Sequence, residues 1–193
     1  VHTLELVWQQ PLRPGVLWTA SLFRYQMRGL IDLVAVDTAA GAYQYRNVGD
    51  ATSNGLEAGV EARLGRSVIG FANYSYQRTL DDASGLRLTN SPAHLLKGGI
   101  SASASPGARA ALTARYESSR RTVYDTDTRP YLLADVQLGF GIVTAPDDRS
   151  IEFGLRVTNL FNTRYASPGG VEHRQAAIAQ DGRMVMAELR YGF

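Results

Sequence analysis

Between Arg183 and Phe193 the side chains change character one residue at a time. Val185, Ala187, Leu189, Tyr191 and Phe193 share one parity, while Met184, Met186, Glu188, Arg190 and Gly192 share the other. A two-residue period sends alternate side chains to opposite faces of a strand. One face of this segment is therefore apolar and ends in two aromatics, and its reverse carries charge. That combination suits the wall of a transmembrane β-barrel, with apolar residues toward lipid, polar ones toward the lumen and an aromatic at the interface.

The same writing recurs upstream. Leu56, Ala58, Val60, Ala62 and Leu64 alternate with Glu57, Glu61 and Arg63. Ala108, Ala110, Leu112, Ala114 and Tyr116 alternate with Arg109, Thr113 and Arg115. Leu132, Ala134, Val136, Leu138, Phe140 and Ile142 oppose Asp135 and Gln137, and Ile151, Phe153, Leu155 and Val157 oppose Glu152 and Arg156. About ten residues per run, tilted by about 45°, cross a hydrocarbon core. The pattern predicts about nine strands, at 2–10, 16–36, 42–64, 66–79, 93–105, 107–120, 130–144, 149–159 and 182–193. The class expected is all-β, an antiparallel up-and-down barrel segment.

Hydropathy does not oppose this. Mean hydropathy is −0.17 and no run approaches the roughly 20 apolar residues of a membrane helix. Alternating strands hide from such averages. Cysteine is absent, which removes disulfides, thiolate catalysis and Cys-type zinc sites. A net charge of +2, with the Lys and Arg residues spread along the chain, argues against a nucleic-acid partner. Phosphate-loop, G-x-S-x-G, H-E-x-x-H and dinucleotide motifs are missing, so neither an enzyme nor a cofactor is expected. The start at Val1 reads as a cut end, so the expectation is a fragment.

Connections alternate in length. Turns at 11–14, 65–66, 106–107 and 145–148 are short and rich in Gly, Pro or Asp, whereas those near 80–92, 120–130 and 160–181 are long. Outer-membrane barrels have short periplasmic turns and long outside loops. Glu57, Arg63, Arg115, Asp135, Glu152, Arg156, Glu188 and Arg190 should then face the lumen.

The run Asn159-Leu160-Phe161-Asn162-Thr163-Arg164-Tyr165, with Gly182-Arg183 and the closing Leu189-Arg190-Tyr191-Gly192-Phe193, resembles the C-terminal part of a TonB-dependent outer-membrane receptor. Tyr45 to Gly49 with Ser53 to Glu57, Asn90 to His94, and Tyr116 to Arg120 resemble further recurrent segments of that family. The resemblance spans essentially all of residues 1–193, read as one C-terminal barrel segment without its plug domain. It implies a barrel of roughly 22 strands in the outer membrane of a Gram-negative bacterium. It also implies TonB-driven uptake of a ferric siderophore, haem or a corrinoid, with iron chelate the class expected. Implied partners are outer-membrane lipid and lipopolysaccharide, the plug, the TonB complex reached through the plug, and the barrel-assembly machinery. That machinery would read Leu189, Tyr191 and Phe193 as its signal; the plainer role of these residues is that of interfacial aromatics at a strand end.

Arg120, Arg121 and Tyr124 in one outside loop, and His173 and Arg174 in another, are candidate ligand contacts, because clustered cations attract anionic chelates. A solvated loop surface is the plainer role for them. Asp81-Asp82 and Asp125-x-Asp127 read as turn residues rather than a Ca²⁺ site, and no metal is expected. Two other architectures stay open on the sequence. One is a complete eight-stranded barrel from residue 15 onward, acting as adhesin or anchor. The other is a soluble β-sandwich binding module with its aromatic face turned inward.

Overall fold

The computed structural model describes residues 1–37, 41–105, 107–144 and 149–192, and their regular structure is strand throughout. The strands are β1 (His2–Arg13), β2 (Val16–Asp37), β3 (Ala42–Leu64), β4 (Val68–Asp81), β5 (His94–Ser105), β6 (Ala108–Glu117), β7 (Tyr131–Thr144), β8 (Arg149–Thr158), β9 (Ala166–Pro168), β10 (Ala177–Ala179) and β11 (Met184–Gly192). Nine of them make one antiparallel sheet in the order β1-β2-β3-β4-β5-β6-β7-β8-β11. All nine expected strands form. The predicted turn at 145–148 and the terminal Phe193 lie outside the described residues.

Several boundaries differ from the pattern reading, among them the end of β6, which stops at Glu117 rather than at 120. β1 continues through Pro11 to Arg13, with a register shift there, so the first turn shrinks to Pro14 and Gly15. Proline lacks a ladder donor but is tolerated at a bulge, and the register shift between Pro11 and Arg13 is one. β4 begins at Val68, not residue 66. The long last connection, expected to be irregular, contains the β9–β10 hairpin.

Register carries one face across the whole sheet. Val185 pairs with Val157, Val157 with Val136, Val136 with Leu112, and Leu112 with Ile100. Leu189, Phe153 and Phe140 form a parallel row. This face is apolar and uncovered: Leu6 is 69% exposed, Phe140 54% and Leu189 72%. A β-sandwich would bury these residues under a second layer; no second layer covers them, and the sandwich reading is set aside. An eight-stranded barrel needs β2 paired with β11. Here β2 pairs with β1 and β3, and β11 is the opposite edge, so that reading falls as well.

The eight residues expected on the wet face do share it. Arg190 pairs with Glu152, Arg156 with Gln137, Asp135 with Thr113, and Arg115 with Lys97. Buried side chains gather on this face toward the long-loop end, among them Phe23, Ser53, Thr79, Glu117 and Tyr131. A Cβ at Gly55 would overlap the Phe23 ring and the Tyr76 carbonyl, so glycine there lets Phe23 lie flat across β3. Ser53 and Thr79 bond hydroxyl to hydroxyl at 2.8 Å beside it. Among the described residues no helix is long and apolar enough to cross a membrane, which says nothing of crossing by strands.

Candidate functional site

Three connections stand at one end of the sheet: residues 82–93 after β4, 118–130 after β6, and 159–183 after β8. They are tied into one body by side chains. Arg120 is the hub. Its Nε lies 2.6 Å from Glu117 Oε1, with only 13% and 10% of the two side chains exposed. The contact is off the line of a hydrogen bond, so it is an attraction between charges, strengthened by poor hydration. The same guanidinium donates to Asn90 Oδ1 at 2.8 Å and Ser167 Oγ at 3.4 Å, which lie in the other two loops. A planar fork with several donors is what permits three directions at once.

The neighbouring residues repeat the theme. Arg121 pairs with Asp125 within its loop and donates to the Arg87 carbonyl at 3.0 Å. Arg87 pairs with Asp127 at 3.1 Å. The Arg121 carbonyl accepts from Asn90 N–H at 2.9 Å, and Asn90 holds a left-handed φ of 57°, a region Asn tolerates better than most residues. Tyr124 Oη donates to the His173 carbonyl at 2.5 Å, reaching the third loop. His173 Nε2 lies 3.3 Å from Glu172. Arg174 is exposed. Four of the five sequence-nominated ligand contacts thus meet in this loop cluster, and Arg120, Arg121 and Tyr124 spend their polar groups on holding loops together.

Asp81, at the rim where β4 runs past β5, accepts from the hydroxyl and the backbone N–H of Ser84 at 2.6 and 2.7 Å. Those bonds hold its carboxyl below the usual range. Asp125 and Asp127 are engaged by arginines, as turn residues would be. Among the described residues no group of three His, Cys, Asp or Glu is placed to hold a metal.

The run from Asn159 to Tyr165 is a clasp. Asn159 has φ 50° and Asn162 φ 53°. The Asn159 backbone N–H donates to Asp135 at 2.8 Å. Its amide side chain closes a loop on Thr163, accepting from that N–H at 2.8 Å and donating to that carbonyl at 2.9 Å. Leu160 N–H donates to the Ala134 carbonyl, stitching the run to β7. Asn162 Oδ1 accepts from Arg183 N–H at 2.9 Å, and a Cβ on Gly182 would sit 2.7 Å from that oxygen. Tyr165 packs on Tyr131 with ring centres 4.6 Å apart. Phe161 and Arg164 are exposed. These residues therefore fix the entry of β11. Leu189 and Tyr191 sit on the apolar face at the short-turn end.

The wet face below the loops has mixed charge. Arg109 lies 3.4 Å from Glu152 and Arg190 2.6 Å from Glu188. These groups, with Ser101 and Gln137, line a shallow concavity. Glu117, Asn90 and Arg87 were not nominated from sequence, and Asp127 was read there as a turn residue. Asn90 begins one quoted segment and Glu117 lies inside another, and the spacing Glu117 to Arg120 was the available signal.

The family model described as TonB dependent receptor-like, beta-barrel matches residues 1–160. No curated protein matches the sequence. Among solved structures, the ferric-catecholate import receptor Fiu from E. coli superposes with TM-score 0.71 at 22% identity, over 98% of this chain and 27% of the receptor. The ferripyoverdine receptor of the Pseudomonas aeruginosa outer membrane gives 0.69 at 18%, over 96% and 26%. The copper transporter OprC gives 0.73 at 15%, over 97% and 30%. The chain spans less than a third of the length of these proteins.

Proposed function

This chain belongs to the TonB-dependent receptor-like β-barrels, and from that premise we propose that it is the C-terminal portion of an outer-membrane receptor for TonB-energised uptake of a scarce ligand. The observation that carries the reading is the unbroken apolar face of nine strands, backed by a charged face and topped at one end by interlocked loops. Apolar surface so extensive is stable only against lipid, and strands are one of the two structures that can satisfy their backbone there. An open edge cannot face lipid, so β1 and β11 require further strands, in keeping with a barrel of roughly 22.

A ferric siderophore is the ligand class we favour over haem or cobalamin. The similar structures include receptors for ferric catecholate and ferripyoverdine. His173 and Arg174 lie at the loop end, where an anionic chelate would arrive and where cations would draw it in, on loops that Arg121 and Tyr124 hold together. The charged face, including Glu57, Arg63, Arg115 and Asp135, is the surface a plug would contact, and TonB would act through that plug. Leu189, Tyr191 and Phe193 are assigned to recognition by the barrel-assembly machinery.

The test is uptake of a radiolabelled ferric catecholate by cells whose only receptor of this class is the full protein. Uptake should be saturable and should fall to background when TonB is deleted. Uptake that persists without TonB would remove the reading.

A further inference from the structure

The outward face of β2, β3 and β4 stops being apolar at a single row. Leu22, Leu56 and Tyr76 are joined by register, and the next outward row is Arg24, Asn54 and Arg78. From Val68 to Arg78 the strand climbs roughly 24 Å at about 3.4 Å per residue and a tilt of about 45°, which matches the apolar band of a membrane barrel. The row therefore stands at the level of the lipid headgroups on the long-loop side.

Its floor is aromatic. Tyr76 and His94 rings lie 5.1 Å apart, and Tyr74 Oη is 2.8 Å from His94 Nδ1. Arg24, Asn54 and Arg78 are exposed. Among the described residues no ion pair or side-chain hydrogen bond engages either guanidinium. Asp82, just beyond the end of β4, is occupied by the Thr52 hydroxyl at 3.2 Å. Two unpaired guanidiniums, one on either side of an amide, thus point outward where a membrane begins.

We propose that Arg24, Asn54 and Arg78 bind the phosphate of a lipid headgroup in the outward leaflet, a site that rests on the outer-membrane reading above. Arg24 and Arg78 are two strands apart, about 10 Å between backbones, so their side chains can converge on one phosphate above Asn54. The guanidinium fork matches phosphate oxygens in pairs, and basic groups near a membrane surface favour anionic headgroups. An arginine facing hydrocarbon costs about 2–4 kcal/mol at the midplane and near zero at the interface. The position is thus cheap to hold in a bilayer and gains from a phosphate.

The experiment is native mass spectrometry of the full receptor, offered bisphosphorylated lipid A or the same lipid after phosphatase treatment. The phosphorylated lipid should be retained about tenfold or more over the stripped one. R24Q and R78Q should each lower its retention about fivefold, and the double variant should abolish the preference. R24K/R78K should keep part of it, and R66Q at a short turn should keep all of it. Equal retention of both lipids by the unaltered protein, or full preference in R24Q/R78Q, overturns the site. Heat-modifiable migration on gels separates this from failure of the membrane reading: a protein that lacks it and retains neither lipid sinks both.

Discussion

The wall of the sheet and the loop cluster above it are ordered by different means. In the wall, backbone ladders join every neighbour, and the side chains outside are interchangeable greasy groups such as Leu112, Val136 and Val157. In the cluster, ladders are few, and order rests on particular atoms: Arg120 on Glu117, Asn90 and Ser167, and Tyr124 on the His173 carbonyl. The wall should tolerate any substitution that keeps parity and reject those that break it. The cluster should be indifferent to polarity and sensitive to identity.

The sharpest way to break that contrast is Leu112→Arg beside Thr113→Arg. Leu112 lies mid-strand on the apolar face and Thr113 on the wet one. The first should cost about 2–4 kcal/mol of membrane stability and the second well under about 1, read from denaturant titration of the refolded full barrel in vesicles. Equal effects would end the two-face account.

Arg120→Ala comes next. It leaves the Glu117 carboxylate poorly hydrated and unpaired, which should cost about 2 kcal/mol. That is less than for a fully buried pair because the rim is partly wet. Amide exchange should rise together in residues 82–93, 118–130 and 159–183, while β5 to β8 stay protected. Faster exchange confined to the loop of Arg120 would show that the three loops are not one body.

The smallest effect belongs to Asp81. Its carboxyl is held below the usual carboxylate range by the hydrogen bonds from Ser84. The contribution of the turn is therefore complete above the unfolded pKa and is lost as pH falls through the lower folded one. Exchange at the Ser84 and Gly85 amides should rise on acidification below about pH 4 and be raised already at neutral pH in Asp81→Asn. A turn whose protection ignores both changes would deny Asp81 this role.

Much of the wall could be read from the chain. Parity along 56–64, 108–116, 132–142, 151–157 and 185–191 gave strand, face and sidedness together, because a strand's geometry forces a period of two. The parity rule fails where the element is short or where contact is distant. β9 and β10 are three residues each, too brief to show a period. The extension of β1 through Pro11 was hidden because a proline-rich stretch reads as a turn unless the bulge that accommodates it is known. In the loops Arg120, Arg121, Tyr124 and His173 stood out by chemistry, but their partners lie up to 49 residues away, and no local pattern pairs Arg120 with Asn90 or Ser167.

The chain on its own set the nine strands, their two faces and which ends carry loops, since each follows from a residue and its next-nearest neighbours. Tertiary structure alone decided the register that aligns Arg24 with Arg78, the hub at Arg120 and the clasp from Asn159 to Arg183. Those depend on where separate strands stop alongside one another, a quantity set by many ladders closing together and written in no single stretch of residues.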